Sequence, residues 1–176
     1  MSHQFNRDAT QMLAQVDAND GGAQIVDPTH NLFSSATIRL DIPADVQYVN
    51  VLGASISAFL INLEQLAEPE TTIYNLELAV QEVSVNIATH AYANAHGRIY
   101  MTASLSHQPL RLTILLQDTG LSFDPAQVPQ PRFGELQEHG YGLFLVTQLM
   151  DEVEYHRIEG GSVWKLLKNL PVTQQS

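Results

Sequence analysis

Glu82, Asn86 and His90 stand four residues apart in the stretch Glu77–Tyr92, ELAVQEVSVNIATHAY. No Gly or Pro interrupts it, and its Ala, Leu, Glu and Gln favour a helix strongly enough to offset the Val residues. On that helix Leu76, Ala79, Val80, Val83, Ile87 and Ala91 form one apolar face. The Glu, the Asn and the His stack in a column along its edge. Beyond the column, Leu78, Val85 and Thr89 are less polar again. A polar row with apolar residues on both sides is unusual for a surface helix and reads as the wall of a pocket. Taken alone, the same three residues also suit a solvated helix boundary, so two later stretches bear on the choice. Gly140-Tyr141-Gly142 opens the apolar run Leu143–Met150. Glycines at a helix N-terminus bring backbone N–H groups close to an anion, where the helix dipole also favours phosphate. Gln117-Asp118-Thr119-Gly120 places a carboxylate at a strand end, which by itself means only a turn.

The elements that must position these residues can be read around them. Thr37 to Ile42 alternates polar with apolar and predicts a strand that Pro43 stops. Asp45 is the expected N-cap of a helix from about Val46 to Leu66, and Glu68-Pro69-Glu70 ends that element. Thr71 or Thr72 is the expected cap of the helix that carries the column. After a turn at Asn94 to Gly97, Arg98–Leu105 and Leu110–Gln117 read as a hairpin with a tight loop. Ala126 to His139 is too rich in Pro and Gln for helix or strand, and an irregular segment of that length inside a domain is either functional or a sign that the element assignment is wrong there. Glu154–Ile158 and Ser162–Asn169 form a last hairpin around Glu159-Gly160-Gly161.

Residues 1–35 are rich in Asp, Asn, Gln and Gly without a sustained apolar period, and are expected to be a mobile or loosely docked extension. Residues 36–170 make the folded domain and 171–176 a short tail. A chain of 176 residues, 44% hydrophobic, is long enough for one domain with a sizeable core. No run approaches the roughly 18–20 apolar residues of a membrane span, and the N-terminus lacks a secretory apolar region. Without Cys there is no disulfide, thiolate metal site or Cys nucleophile, which fits a cytoplasmic protein. The net charge of −11 argues against nucleic acid and anionic lipid, and suits a partner with a basic surface.

A Glu-x-x-x-Asn helix, an Asp-x-Gly strand end and a Gly-x-Gly-Leu helix start, in that order, resemble the N, G1 and G2 boxes of the histidine-kinase-like (GHKL) ATPase superfamily. The match is closest to its anti-sigma-factor serine/threonine kinase family. ELAVQEVSVNIATHAY, QDTGLSFDP, HGYGLFLVTQLMDEVEY and the closing GGSVWKLLK carry it, over about Ala36 to Leu170. The resemblance implies an α+β fold, a two-layer α/β sandwich in which helices cover one face of a mixed, mostly antiparallel sheet (the Bergerat ATP-binding fold). It implies ATP and Mg²⁺ as cofactors, with Asn86 as the metal ligand and Glu82 as the base that takes the proton of a substrate Ser or Thr. Asp118 is implied as the acceptor for the adenine amino group, and Gly120 as the residue that lets the base pack on the backbone. Ser162 is implied to complete the adenine site. Gly140, Gly142 and the N–H groups of Leu143 and Phe144 are implied at the phosphates.

Some positions depart from the family pattern. Ser122 replaces the second Gly of the commonest G1 box, though it stays among the implied nucleotide contacts. Gly53 aligns with an Arg that contacts partners, Tyr48 and Asn50 being the nearest polar side chains. Arg132 is the one basic residue of the lid. His90 is expected to be a core His that donates to a backbone carbonyl. The family implies an anti-sigma-factor antagonist as substrate, a sigma factor as second partner, and a homodimer. Two readings stay in play, a protein serine/threonine kinase and a non-catalytic, nucleotide-gated binding module, and retention of Glu82 with Asn86 favours the first. A sensor histidine kinase fragment is disfavoured, because no helix with a phospho-accepting His precedes the domain in this sequence.

Overall fold

Alternation decides the first element, as it does in any strand with one buried face. Ile38, Leu40 and Ile42 turn to the core side of β1, Ser35–Pro43, while Thr37, Arg39 and Asp41 are exposed. The computed structural model describes residues 35–92, 97–120 and 141–173, all within the unit that begins at Ser35. The extension expected at residues 1–35, apart from Ser35, lies outside the described residues. So does most of the turn expected at Asn94 to Gly97.

Helix α1 spans Val46–Leu60, and the Asp45 carboxylate caps it by accepting the Gln47 N–H at 2.9 Å. The expected extension of this helix to Leu66 does not occur. Instead the Leu63 N–H bonds the Leu60 carbonyl and the Leu66 N–H the Leu63 carbonyl, at 2.9 and 3.0 Å. These successive turns keep an apolar residue inward every third position, which in sequence mimics a longer helix. Helix α2 spans Pro69–His90. Neither Thr71 nor Thr72 caps it: Pro69 occupies the first turn, where its missing N–H costs nothing, and Glu68 is the N-cap without a side-chain bond. All six residues of the expected apolar face, Leu76 to Ala91, are buried. Gly53 of α1 is buried against α2, with Glu77 O 3.6 Å from where its Cβ would be. It therefore faces inward and is not a surface position open to partners, whereas Tyr48 and Asn50 are exposed.

Strands β2 (Arg98–His107), β3 (Leu110–Asp118), β4 (Glu152–Ile158) and β5 (Gly161–Asn169) complete a sheet ordered β1-β2-β3-β5-β4. Every ladder among them is antiparallel. Gln108-Pro109 and Glu159-Gly160 are two-residue loops, and Gly160 supplies the positive φ of 79° that the second needs. Helix α3 spans Tyr141–Leu149. The core joins Leu52, Ile56 and Leu60 of α1 to Met101, Ile114, Leu116 and Leu166 of the sheet, in the expected two-layer α+β arrangement. The segment expected as a tail is tied in at its start. Pro171 O accepts the Ala67 N–H at 2.8 Å, and the Thr173 N–H donates to Gln65 O at 3.0 Å.

Candidate functional site

The site forms where the end of β3, the start of β5 and one edge of α2 meet. In the antiparallel register Asp118 lies opposite Ser162, and both are buried on the helix-covered side of the sheet. The Ser162 hydroxyl donates to Asp118 Oδ2, and the Gly120 N–H donates to Asp118 Oδ1 at 2.8 Å. Three of the residues expected at the base-binding end are thus joined through one carboxylate. Burial pushes the Asp118 carboxyl up from its ordinary value, and the bonds from Ser162 and Gly120 offset part of the rise. Each carboxylate oxygen carries two lone pairs, so acceptor capacity remains for a further donor.

Two glycines make this geometry possible. A Cβ on Gly120 would overlap the backbone of Ala91, just past the end of α2, and one on Gly161 would overlap the Asp118 carbonyl. Gly120 therefore serves close packing of the strand end on the helix. Gly161 read in the sequence only as part of a turn, although its place beside Ser162 was a usable signal. Tyr92 carried no expected role, yet its hydroxyl accepts the Thr119 N–H at 2.8 Å.

The expected column on α2 is only partly confirmed. Glu82 and Asn86 are half-buried, whereas His90 is exposed and not the core His expected. Each step of four residues turns the helix about 40° past a full circle, so two steps carry His90 roughly 80° away from Glu82 and out to solvent. The Glu82 carboxylate lies against α3, where a Cβ on Gly142 would meet its Oε2. Gly142, Leu143 and Phe144 lie in the first described turn of α3. From Glu82, beside that turn, to Ala91, beside Gly120, α2 rises about 14 Å along its axis. A ligand with a ring at one end and an anionic group at the other has a fitting part of the site for each. Ser122, Gly140 and Arg132 lie outside the described residues.

Among the described residues no three His, Asp or Glu side chains converge as a metal cage. The Asn86 amide fits a hard cation that takes most of its ligands from phosphate and water.

A profile of the histidine kinase-like ATPase domain matches residues 42–168. The chain is 30% identical over 135 residues to a serine-protein kinase RsbW of Bacillus cereus, covering 72% of this chain and 81% of that one. A serine-protein kinase RsbW of Bacillus thuringiensis is 29% identical over the same shares. A solved structure of the RsbU and RsbW domains of a Mycobacterium tuberculosis protein shares the fold, with a TM-score of 0.56 and 18% identity. The match covers 77% of this chain and 32% of that longer one. The chain belongs to the histidine kinase-like ATPase family, on the branch of the anti-sigma-factor serine kinases.

Proposed function

We propose that this protein is an ATP-dependent serine/threonine protein kinase of a bacterial partner-switching system, acting in the cytoplasm on a small anti-sigma-factor antagonist. The observation that carries the reading is the convergence of Asp118, the Gly120 N–H and Ser162 at one end of α2, with Glu82 set against the first turn of α3 at the other. Asp118 accepts the adenine amino group with the lone pairs that Ser162 and Gly120 leave open. The N–H groups of Leu143 and Phe144, with Gly142, would face the phosphates, and Gly140 and Ser122 are proposed as further nucleotide contacts. Asn86 would hold Mg²⁺, which supplies charge neutralisation on the transferring phosphoryl group. Glu82, one turn from Asn86, takes the proton of the incoming Ser or Thr hydroxyl on a carboxylate oxygen. A sigma factor is the proposed second partner. Gly53 is turned inward, so α1 offers this partner no side chain at the position where the family pattern has an Arg.

The test is transfer of labelled phosphate from Mg-ATP to the natural antagonist domain, with calorimetry of nucleotide binding alongside. Glu82→Gln is expected to keep ATP affinity within a few-fold while cutting transfer by roughly 10²–10⁴-fold. Asn86→Ala is expected to lose Mg²⁺-dependent ATP binding and transfer together. Transfer by Glu82→Gln at the native rate would remove Glu82 as the base. A native protein that binds ATP but phosphorylates no antagonist would favour the nucleotide-gated binding module.

A further inference from the structure

Tyr92 stands just past the end of α2, and its hydroxyl joins three elements. It donates to the carbonyl of Arg98, where β2 begins, at 2.8 Å, and accepts the Thr119 N–H, just past β3, at 2.8 Å. The phenol has one proton, committed to Arg98, so the Thr119 hydroxyl at 3.3 Å is a second donor to the same oxygen. The ring is buried and fills the space a Cβ on Gly97 would take, so it packs directly on that glycine. Burial also pushes the hydroxyl above its ordinary 10.0, which keeps it a protonated donor at neutral pH.

Thr119 lies between the two residues that shape the base end of the site. Its N–H is held by Tyr92 and the next N–H, of Gly120, by Asp118 Oδ1, so successive amides of this turn are pinned by different side chains. Thr119 itself is exposed. Without the phenol oxygen its amide is left to water, and only the packing of the Asp118 carbonyl on Gly161 still holds the peptide plane. The Gly120 N–H then leaves Asp118, and the carboxylate loses one of the two bonds that orient it. We infer that Tyr92 is a positioning residue for base recognition, holding the Asp118 carboxylate in the orientation that selects a 6-aminopurine by anchoring the Thr119 amide. This rests on the nucleotide reading above.

The experiment compares Mg-ATP with Mg-ITP, in which an oxygen replaces the 6-amino group, for the native protein and for Tyr92→Phe. The variant keeps the ring beside Gly97 and deletes only the hydroxyl. ATP affinity is expected to fall about five- to tenfold, the size of one lost hydrogen bond in a site of this kind. ITP affinity is expected to stay level, so that the preference for ATP shrinks by the same factor. A general structural role would lower both affinities together, and that result overturns the inference, as does a variant that keeps the full preference. If the native protein binds neither nucleotide, the nucleotide reading fails first and this inference with it. Should Tyr92→Phe not fold, amide hydrogen exchange on the native protein decides. Slow exchange at the exposed Thr119 supports the anchor, and exchange as fast as an open-loop amide overturns it.

Discussion

Asp118 meets opposing demands from stability and from binding. It is buried, and desolvation raises its pKa in the folded protein above the ordinary 3.8. A group with a raised folded pKa adds stability below its unfolded value and loses that contribution as pH rises through the folded one. At neutral pH the ionised side chain is therefore a cost to the fold. Asp118→Asn removes that charge and can still satisfy its neighbours, the amide oxygen accepting from Gly120 and the amide nitrogen donating to Ser162. We expect the variant to melt no lower than the native protein at pH 7. Any gain should shrink as pH falls toward 3.8, where the native carboxyl is itself neutral. ATP affinity should fall by about tenfold or more, as for a lost bond to a charged acceptor. A variant that is destabilised at pH 7 and binds ATP normally would reverse this account. The Asp118, Gly120 and Ser162 group was legible in the sequence, because the first two fall in the Asp-x-Gly box and the third in the closing GGSVWKLLK stretch. Tyr92 was not, since its worth lies in a contact with Thr119, 27 residues away, that no local pattern announces.

At the scale of elements, the start of α2 carries an evident weakness. Glu68 holds the left-handed conformation, φ 47°, and gives the helix no side-chain cap. Such a backbone costs an ordinary residue about 1–2 kcal/mol, while Asn tolerates it and has an amide that can cap. Glu68→Asn is expected to stabilise the protein by about 0.5–1 kcal/mol in urea unfolding. No change, or a loss, would mean that the strain is absent. The same junction shows where sequence reasoning met its limits. Pro69 was read as ending one element when it begins the next, because a proline signals a boundary without saying on which side the helix lies. Leu63 and Leu66 carried the periodicity of α1 past its true end, since turns can bury residues at nearly the spacing of a helix. Strands fared better: in β1 and β2 a period of two has no competing interpretation, and one-residue slips would expose Ile38, Leu40 or Met101.

Across the whole molecule, charge and open edges decide how copies could meet. The chain carries −11, so two copies repel unless their contact avoids acidic surface. Helix α1 has no charged residue, and Val46, Tyr48 and Val51 are exposed on it. β1, directly before it, is an edge strand of the sheet among the described residues. An uncharged helix face beside a strand edge suits a symmetric contact between identical chains, and we expect a homodimer. Light scattering at high micromolar concentration should give twice the chain mass of 19.5 kDa. A mass of one chain would exclude it.

The sheet order has a consequence for biosynthesis. β5 is the last of the described strands, yet it lies inside the sheet between β3 and β4. Ser162, the partner of Asp118, arrives with it. A chain emerging from the ribosome can form α1, α2 and the β1-β2-β3 meander in order of synthesis, but the corner around Asp118 lacks one wall until the β4-β5 hairpin inserts. Long-range pairing of this kind is slow relative to local structure. On the nucleotide reading proposed above, full stabilisation by ligand is expected only once that hairpin is in place.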